Sequence, residues 1–144
     1  MSRINKILLA MSGDGRESNL LKESTMVRDQ LGAGLDIVHV NPKYAGEMSM
    51  MMDNIKMVNK EDILTQIEDY GQTESFPNCE IFILKSDKVE EEISKLSKDY
   101  DMVILGHRKM GEIKENITDS MDQDIANEVL SPVLIINKDL SPKD

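Results

Sequence analysis

Five short apolar runs alternate along this chain with stretches in which apolar residues recur every three or four positions. The first run is Ile7-Leu8-Leu9-Ala10-Met11, closed by the turn signal Ser12-Gly13-Asp14-Gly15. Leu20, Ser24, Val27 and Leu31 then fall on one helical face, and Gly32 and Gly34 end that helix. Leu35-Asp36-Ile37-Val38-His39-Val40 is the second run. After Pro42 a longer stretch settles into a helix bearing Ile63, Ile67 and Tyr70, and Glu80-Ile81-Phe82-Ile83-Leu84 follows as the third strand. In the next helix Asp87 and Glu90 form a capping-box-like start, and Val89, Ile93, Leu96 and Tyr100 step along one face. Asp101-Met102-Val103-Ile104-Leu105-Gly106 is the fourth strand. Ile117, Met121, Ile125 and Val129 mark a last helix, and Val133-Leu134-Ile135-Ile136 is the fifth strand.

Strands that are apolar throughout, rather than at every second position, are covered on both faces. Alternation with amphipathic helices makes that an α/β protein with a parallel sheet. No internal repeat or linker interrupts the pattern, so residues 1–138 are expected to form one domain, with a polar, fraying tail over 139–144.

Composition narrows the partners. The 144 residues carry a net charge of −10, and the lysines are scattered beside acids, which argues against nucleic acid, whose phosphates call for clustered Lys and Arg. With no tryptophan and two phenylalanines the core must be aliphatic and rich in methionine. Cys79 is the only cysteine, so no intramolecular disulfide forms, and the expectation is a buried, inert thiol. The opening Met-Ser-Arg-Ile-Asn-Lys lacks the apolar stretch of a signal peptide, and no apolar run approaches the roughly 18 residues of a membrane span. The expected location is the cytoplasm.

Catalytic signals are weak. His107 follows the glycine of the fourth strand but has no nucleophile elbow, paired ligand or cysteine beside it, and His39 lies inside the second strand; both read as structural or rim histidines. A phosphate-accepting receiver domain needs an acidic pair after the first strand and an aspartate after the third. Here the first strand ends Met11-Ser12, with no acidic pair, and the third ends Lys85-Ser86 before Asp87. Met48, Met50, Met51, Met52 and Met57 could present thioethers to Cu(I). Met48, Met51, Ile55 and Val58 also fit one helical face, so the plainer reading is an adaptable apolar surface. The segment 42–57 is longer than most connections in compact domains and is expected to be mobile or to face a partner. Glu90-Glu91-Glu92 reads as a solvated helix face. No metal site is expected.

Four separated segments agree in order and spacing with one family. Lys6-Ile7-Leu8-Leu9-Ala10-Met11-Ser12-Gly13, Gly32-Ala33-Gly34-Leu35-Asp36-Ile37-Val38-His39-Val40, Asp101-Met102-Val103-Ile104-Leu105-Gly106-His107 and Ser131-Pro132-Val133-Leu134-Ile135-Ile136 together resemble the universal stress proteins over nearly the whole chain. The resemblance implies a flavodoxin-like three-layer α/β/α fold with a five-stranded parallel sheet in the order 3-2-1-4-5. The switch point of that fold lies between strands one and four.

Nucleotide-binding members of the family carry Gly-x2-Gly-x9-Gly-Ser/Thr after strand four, where phosphates meet a helix N-terminus. Laid on this chain, that frame keeps Gly106 and Ser120 and puts Lys109 and Asp119 at the other glycine positions. Ser12 stands where binders carry an aspartate. The resemblance thus outlines a degenerate nucleotide site at Ser12, Val40, Gly106 and His107, continued by Lys109, Gly111, Asp119 and Ser120. Lys109 restricts a turn built to approach phosphates closely, although its charge could contact one. Asp119 reads either as a plain helix N-cap or as a carboxylate repelling phosphate by roughly 1 to 4 kcal/mol at about 4 Å. Gly106-His107 is similar to the A-type members, which do not bind ATP. The expectation is a stress-response homodimer with no cofactor, joined through Val133, Leu134, Ile135 and Ile136 of the last strand. The alternative is an ATP-binding member with slow hydrolytic or autophosphorylating activity.

Overall fold

The computed structural model of the chain describes residues 4–12, 17–43, 57–70, 79–107, 125 and 129–137. Its elements in order are β1 (Lys6–Ala10), α1 (Ser18–Leu31), β2 (Gly34–Asn41), α2 (Lys60–Asp69), β3 (Ile81–Lys85), α3 (Val89–Ser97), β4 (Met102–His107) and β5 (Val133–Asn137). All five predicted strands form, each within one residue of the expected ends. They pair in parallel in the order β3-β2-β1-β4-β5, as the fold class requires. Leu9 of the central strand sits opposite Ile37 on one side and Ile104 on the other.

Side chains of successive strand residues point to opposite faces, and the core divides accordingly. Ile7, Leu9, Ile37 and Ile104 pack with Leu20, Leu21 and Ile63 under α1 and α2. Leu8, Val38, Val40, Val103 and Leu105 pack with Ile93 of α3 and with Ile125 and Val129 on the other face. Two cores separated by one sheet explain why the strands read as unbroken apolar runs. Each fully buried Leu or Ile contributes roughly 1.5 to 3 kcal/mol by leaving water.

The helix ends differ from the sequence reading in three places. Gly32 alone terminates α1: it adopts φ 64°, and the Ala33 N–H returns to the Arg28 carbonyl at 3.1 Å. Gly34 instead opens β2, donating its N–H to the Asn5 carbonyl at 2.8 Å. Asp87 does not cap α3, whose N-cap is Lys88 with no side-chain cap hydrogen bond. The Asp87 carboxylate accepts the Lys43 N–H at 3.1 Å instead, and Ser86 Oγ accepts the Lys88 N–H at 3.0 Å. Tyr100 lies beyond the end of α3 and is buried there on its own account. The reciprocal capping box belongs to α2, where Asn59 Oδ1 accepts the Asp62 N–H and Asp62 Oδ2 accepts the Asn59 N–H. Of the expected last helix only Ile125 and Val129 fall among the described residues, and both are buried. Met48 to Met52 and the tail 139–144 lie outside them.

Candidate functional site

In an open parallel sheet ligands bind beyond the carboxyl ends of the strands, where the chain leaves two adjacent strands in opposite directions. Here that point lies between β1 and β4: β1 is followed in the sheet by β2, and β4 by β5 on the other side. A cavity of about 200 Å³ opens at this place. Ala10, Met11 and Ser12 at the end of β1, Val38, His39 and Val40 of β2, and Leu105 and Gly106 of β4 form its floor. Val89 and Ile93 of α3, together with Ile125, close one side.

The lining is mostly aliphatic, and no Lys, Arg, Asp or Glu belongs to it among the described residues. Polar atoms come from Ser12, His39 and the exposed main chain. Such walls suit a largely apolar body held by a few hydrogen bonds. Of the residues singled out from the sequence, Ser12, Val40 and Gly106 converge on this cavity. His107 ends β4 opposite Asn137 and is half-buried. Lys109, Gly111, Asp119 and Ser120 lie outside the described residues.

Three residues given no site role from the sequence, Glu17, Tyr70 and Asn41, hold the ends of β1 and β2 in shape. Glu17 is completely buried just before α1, and its Oε2 accepts the Ser12 N–H at 2.9 Å. Its own N–H donates to the Tyr70 hydroxyl at 3.3 Å, so the end of α2 meets the start of α1. Asn41, also buried, donates from Nδ2 to the Val58 carbonyl at 2.7 Å and accepts the Val58 N–H on Oδ1 at 2.9 Å. Pairing of one side-chain amide with one residue's main chain replaces a strand partner where the sheet stops. The only sequence signal for these roles is a polar residue closing an apolar run, at Asn41; Glu17 has none, and the periodicity that put Tyr70 on a helix does not reveal its partner.

At the other end of the sheet Cys79 is half-buried, with Sγ 3.5 Å from the Glu80 carbonyl. Burial, with the negative charge of Asp36 adding to it, pushes its thiol up to about 12. It therefore stays a thiol at neutral pH and is far from the cavity chemistry. No group of three His, Cys, Asp or Glu side chains among the described residues is placed to hold a metal ion. No helix among them is long and apolar enough to cross a membrane.

β5 is an edge strand. Ile136 is buried, and Leu134 packs into the core under α1 and α2 while Val133 packs into the other core, so these side chains face inward. Ile135 is the exception, 47% exposed. A partner at this edge would meet main-chain groups and Ile135 rather than four apolar side chains.

No protein-family model matches the sequence, and no curated protein does. Solved structures do resemble it in fold. A universal stress protein in complex with cAMP superposes with a TM-score of 0.67 at 14% identity, over 95% of this chain and 99% of its own. A universal stress protein from Archaeoglobus fulgidus gives a TM-score of 0.61 at 17% identity, over 93% and 94%. The universal stress protein UspA from Lactobacillus plantarum gives 0.60 at 15% identity, over 94% and 98%. The class this defines is the flavodoxin-like α/β fold in the form that universal stress proteins take, matched from end to end rather than in part.

Proposed function

We propose that this chain is a universal stress protein of the A-type, a small cytoplasmic stress-response protein that works as a homodimer and does not hold ATP tightly. The observation that carries this reading is in the sequence: Ser12, Lys109 and Asp119 stand where nucleotide-binding members carry an aspartate and two glycines. Of these, Ser12 lines the cavity between β1 and β4 among the described residues. The sheet order and the end-to-end likeness to universal stress protein structures support the family. The edge position of β5 and the exposure of Ile135 support the dimer, because an uncovered strand edge invites pairing and antiparallel self-pairing closes under a two-fold axis.

A second reading has one observation in its favour. A solved structure of this fold is a complex with cAMP, and the alternative is a nucleotide-binding member with slow ATPase or autophosphorylating activity. Calorimetric titration with Mg-ATP separates the two. The first reading expects no dissociation constant below about 10 μM. It also expects Lys109→Gly combined with Asp119→Gly to improve binding, and Asp119→Gly alone to improve it less. Tight binding by the unaltered chain would establish the second reading. Native mass spectrometry of the same preparation reports co-purified nucleotide and whether the mass is one or two copies of the 16.3 kDa chain.

A further inference from the structure

His39 is 9% exposed, and its imidazole is held between two oxygens. Nδ1 lies 2.7 Å from the Met11 carbonyl oxygen, and Nε2 lies 3.2 Å from Asn41 Oδ1. A main-chain carbonyl has no proton to give, so Nδ1 carries one. Asn41 is not free to turn its amide. Val58 donates its N–H to Oδ1 and accepts from Nδ2, and a flipped amide would set donor against donor and acceptor against acceptor at both contacts. Oxygen therefore faces Nε2 as well. A neutral imidazole has one N–H and one lone pair. It can satisfy one of these oxygens and must turn a lone pair toward the other, whereas the doubly protonated ring bonds both.

We propose that His39 is a proton-operated latch between the end of β1 and the start of α2. With both ring nitrogens protonated, one connected path runs from Met11 through His39 and Asn41 to Val58, the residue before the Asn59 cap of α2. When the ring gives up one proton, the longer contact is the one released: Nδ1 keeps its short bond to Met11, and Nε2 turns a lone pair to Asn41. The bond is present at the acid end and is lost as pH rises through the titration of the imidazole. Asn41 and Val58 then loosen from the strand ends.

The charged surroundings of the ring are few. His39 shares its sheet face with Ile37, the face under α1 and α2. From the α1 side, the buried Glu17 side chain accepts the N–H of Ser12, next to Met11. The Tyr70 hydroxyl stands behind it at the end of α2. At the start of α2, Lys60, Glu61 and Asp62 surround the cap. β3 opposes His39 with Ile83 and Asn41 with Lys85, and β1 contributes only uncharged Met11 and Ser12. The latch is a property of the chain alone and does not rest on what the cavity binds.

Nitrogen-15 NMR of the full chain, followed from acidic to alkaline pH, reads the protonation of each ring nitrogen directly. The expected result is two protonated ring nitrogens at the acid end and loss of the Nε2 proton alone as pH rises. Hydrogen exchange at the Val58 amide, corrected for its intrinsic pH dependence, should lose about fivefold of its protection over the same titration, the size of one ordinary hydrogen bond. His39→Gln should remove that pH step, and if this variant does not fold, the wild-type titration decides by itself. A ring that keeps one state across the range, singly or doubly protonated, would overturn the latch. So would loss of the proton from Nδ1, or Val58 protection that fails to follow the ring.

Discussion

The Tyr100 hydroxyl donates to Asp36 Oδ2 at 2.6 Å, joining residues 64 apart in the chain. The other oxygen of Asp36 accepts the Glu80 N–H at 3.0 Å, so one carboxylate ties β2 to the entry of β3 and to the turn before β4. Lys6 Nζ lies 5.1 Å from the Tyr100 ring centroid and adds a cation–π contact from the start of β1. The amino-terminal edge of the sheet is thus knotted through one aromatic residue.

Tyr100→Phe keeps the ring and its packing and removes only the donor. The expected loss is about 1.5 to 3 kcal/mol, the range for a hydrogen bond to a charged group, read as a lower urea midpoint at neutral pH. Burial first, then donation to Asp36 and the charge of Asp36, push the Tyr100 hydroxyl above the usual phenol range. A group whose proton is held more firmly when folded stabilises the fold below its ordinary value and loses that contribution above it. The gap between wild type and Tyr100→Phe should therefore narrow as pH is raised past about 10. A gap that stays constant from neutral to strongly alkaline pH would contradict the assignment.

Gly32→Ala isolates backbone strain from crowding. A Cβ at Gly32 meets nothing within 4 Å, yet φ is 64°. Left-handed backbone costs an L-residue about 1 kcal/mol or more, and thermal unfolding should show a loss of that size with no change in solution mass.

Cys79 should react slowly. A thiol pushed up to about 12 presents almost no thiolate at pH 8. Modification with a disulfide reagent is expected to be at least about tenfold slower in the native chain than in urea. Equal rates would mean that burial does not govern the thiol.

Ile135→Lys tests the edge of β5 without touching either core, since Ile135 is exposed while Ile136 is buried. If β5 pairs with its copy, light scattering should show the variant shifted toward the 16.3 kDa single-chain mass at micromolar concentration, with thermal stability measured on the monomer unchanged. Leu134→Lys and Ile136→Lys are poorer probes. Leu134 packs against a core and Ile136 lies within one, so a charge there unfolds the subunit before it reports on the dimer.

Local pattern determined much of this protein. Ile7 to Ala10 and Val103 to Leu105 are apolar at every position because helices cover both faces of the sheet. The same requirement spaces Val89, Ile93 and Leu96 along α3. The order of strands and helices, the end of α1 at Gly32 and the place of Ser12, Val40 and Gly106 at strand ends follow from that regularity. Polar partnerships do not. Asp36 with Tyr100, Asn41 with Val58, His39 with Met11 and Glu17 with Ser12 link residues that hydrophobic periodicity treats as unrelated. Asp87 shows the converse: a good local cap signal was taken by Lys43, 44 residues earlier, once β2 and β3 lay side by side. Periodicity records which side of an element is dry. Which polar groups meet is decided only when the sheet order brings distant strand ends together, because a buried donor or acceptor must find its partner in space rather than in sequence.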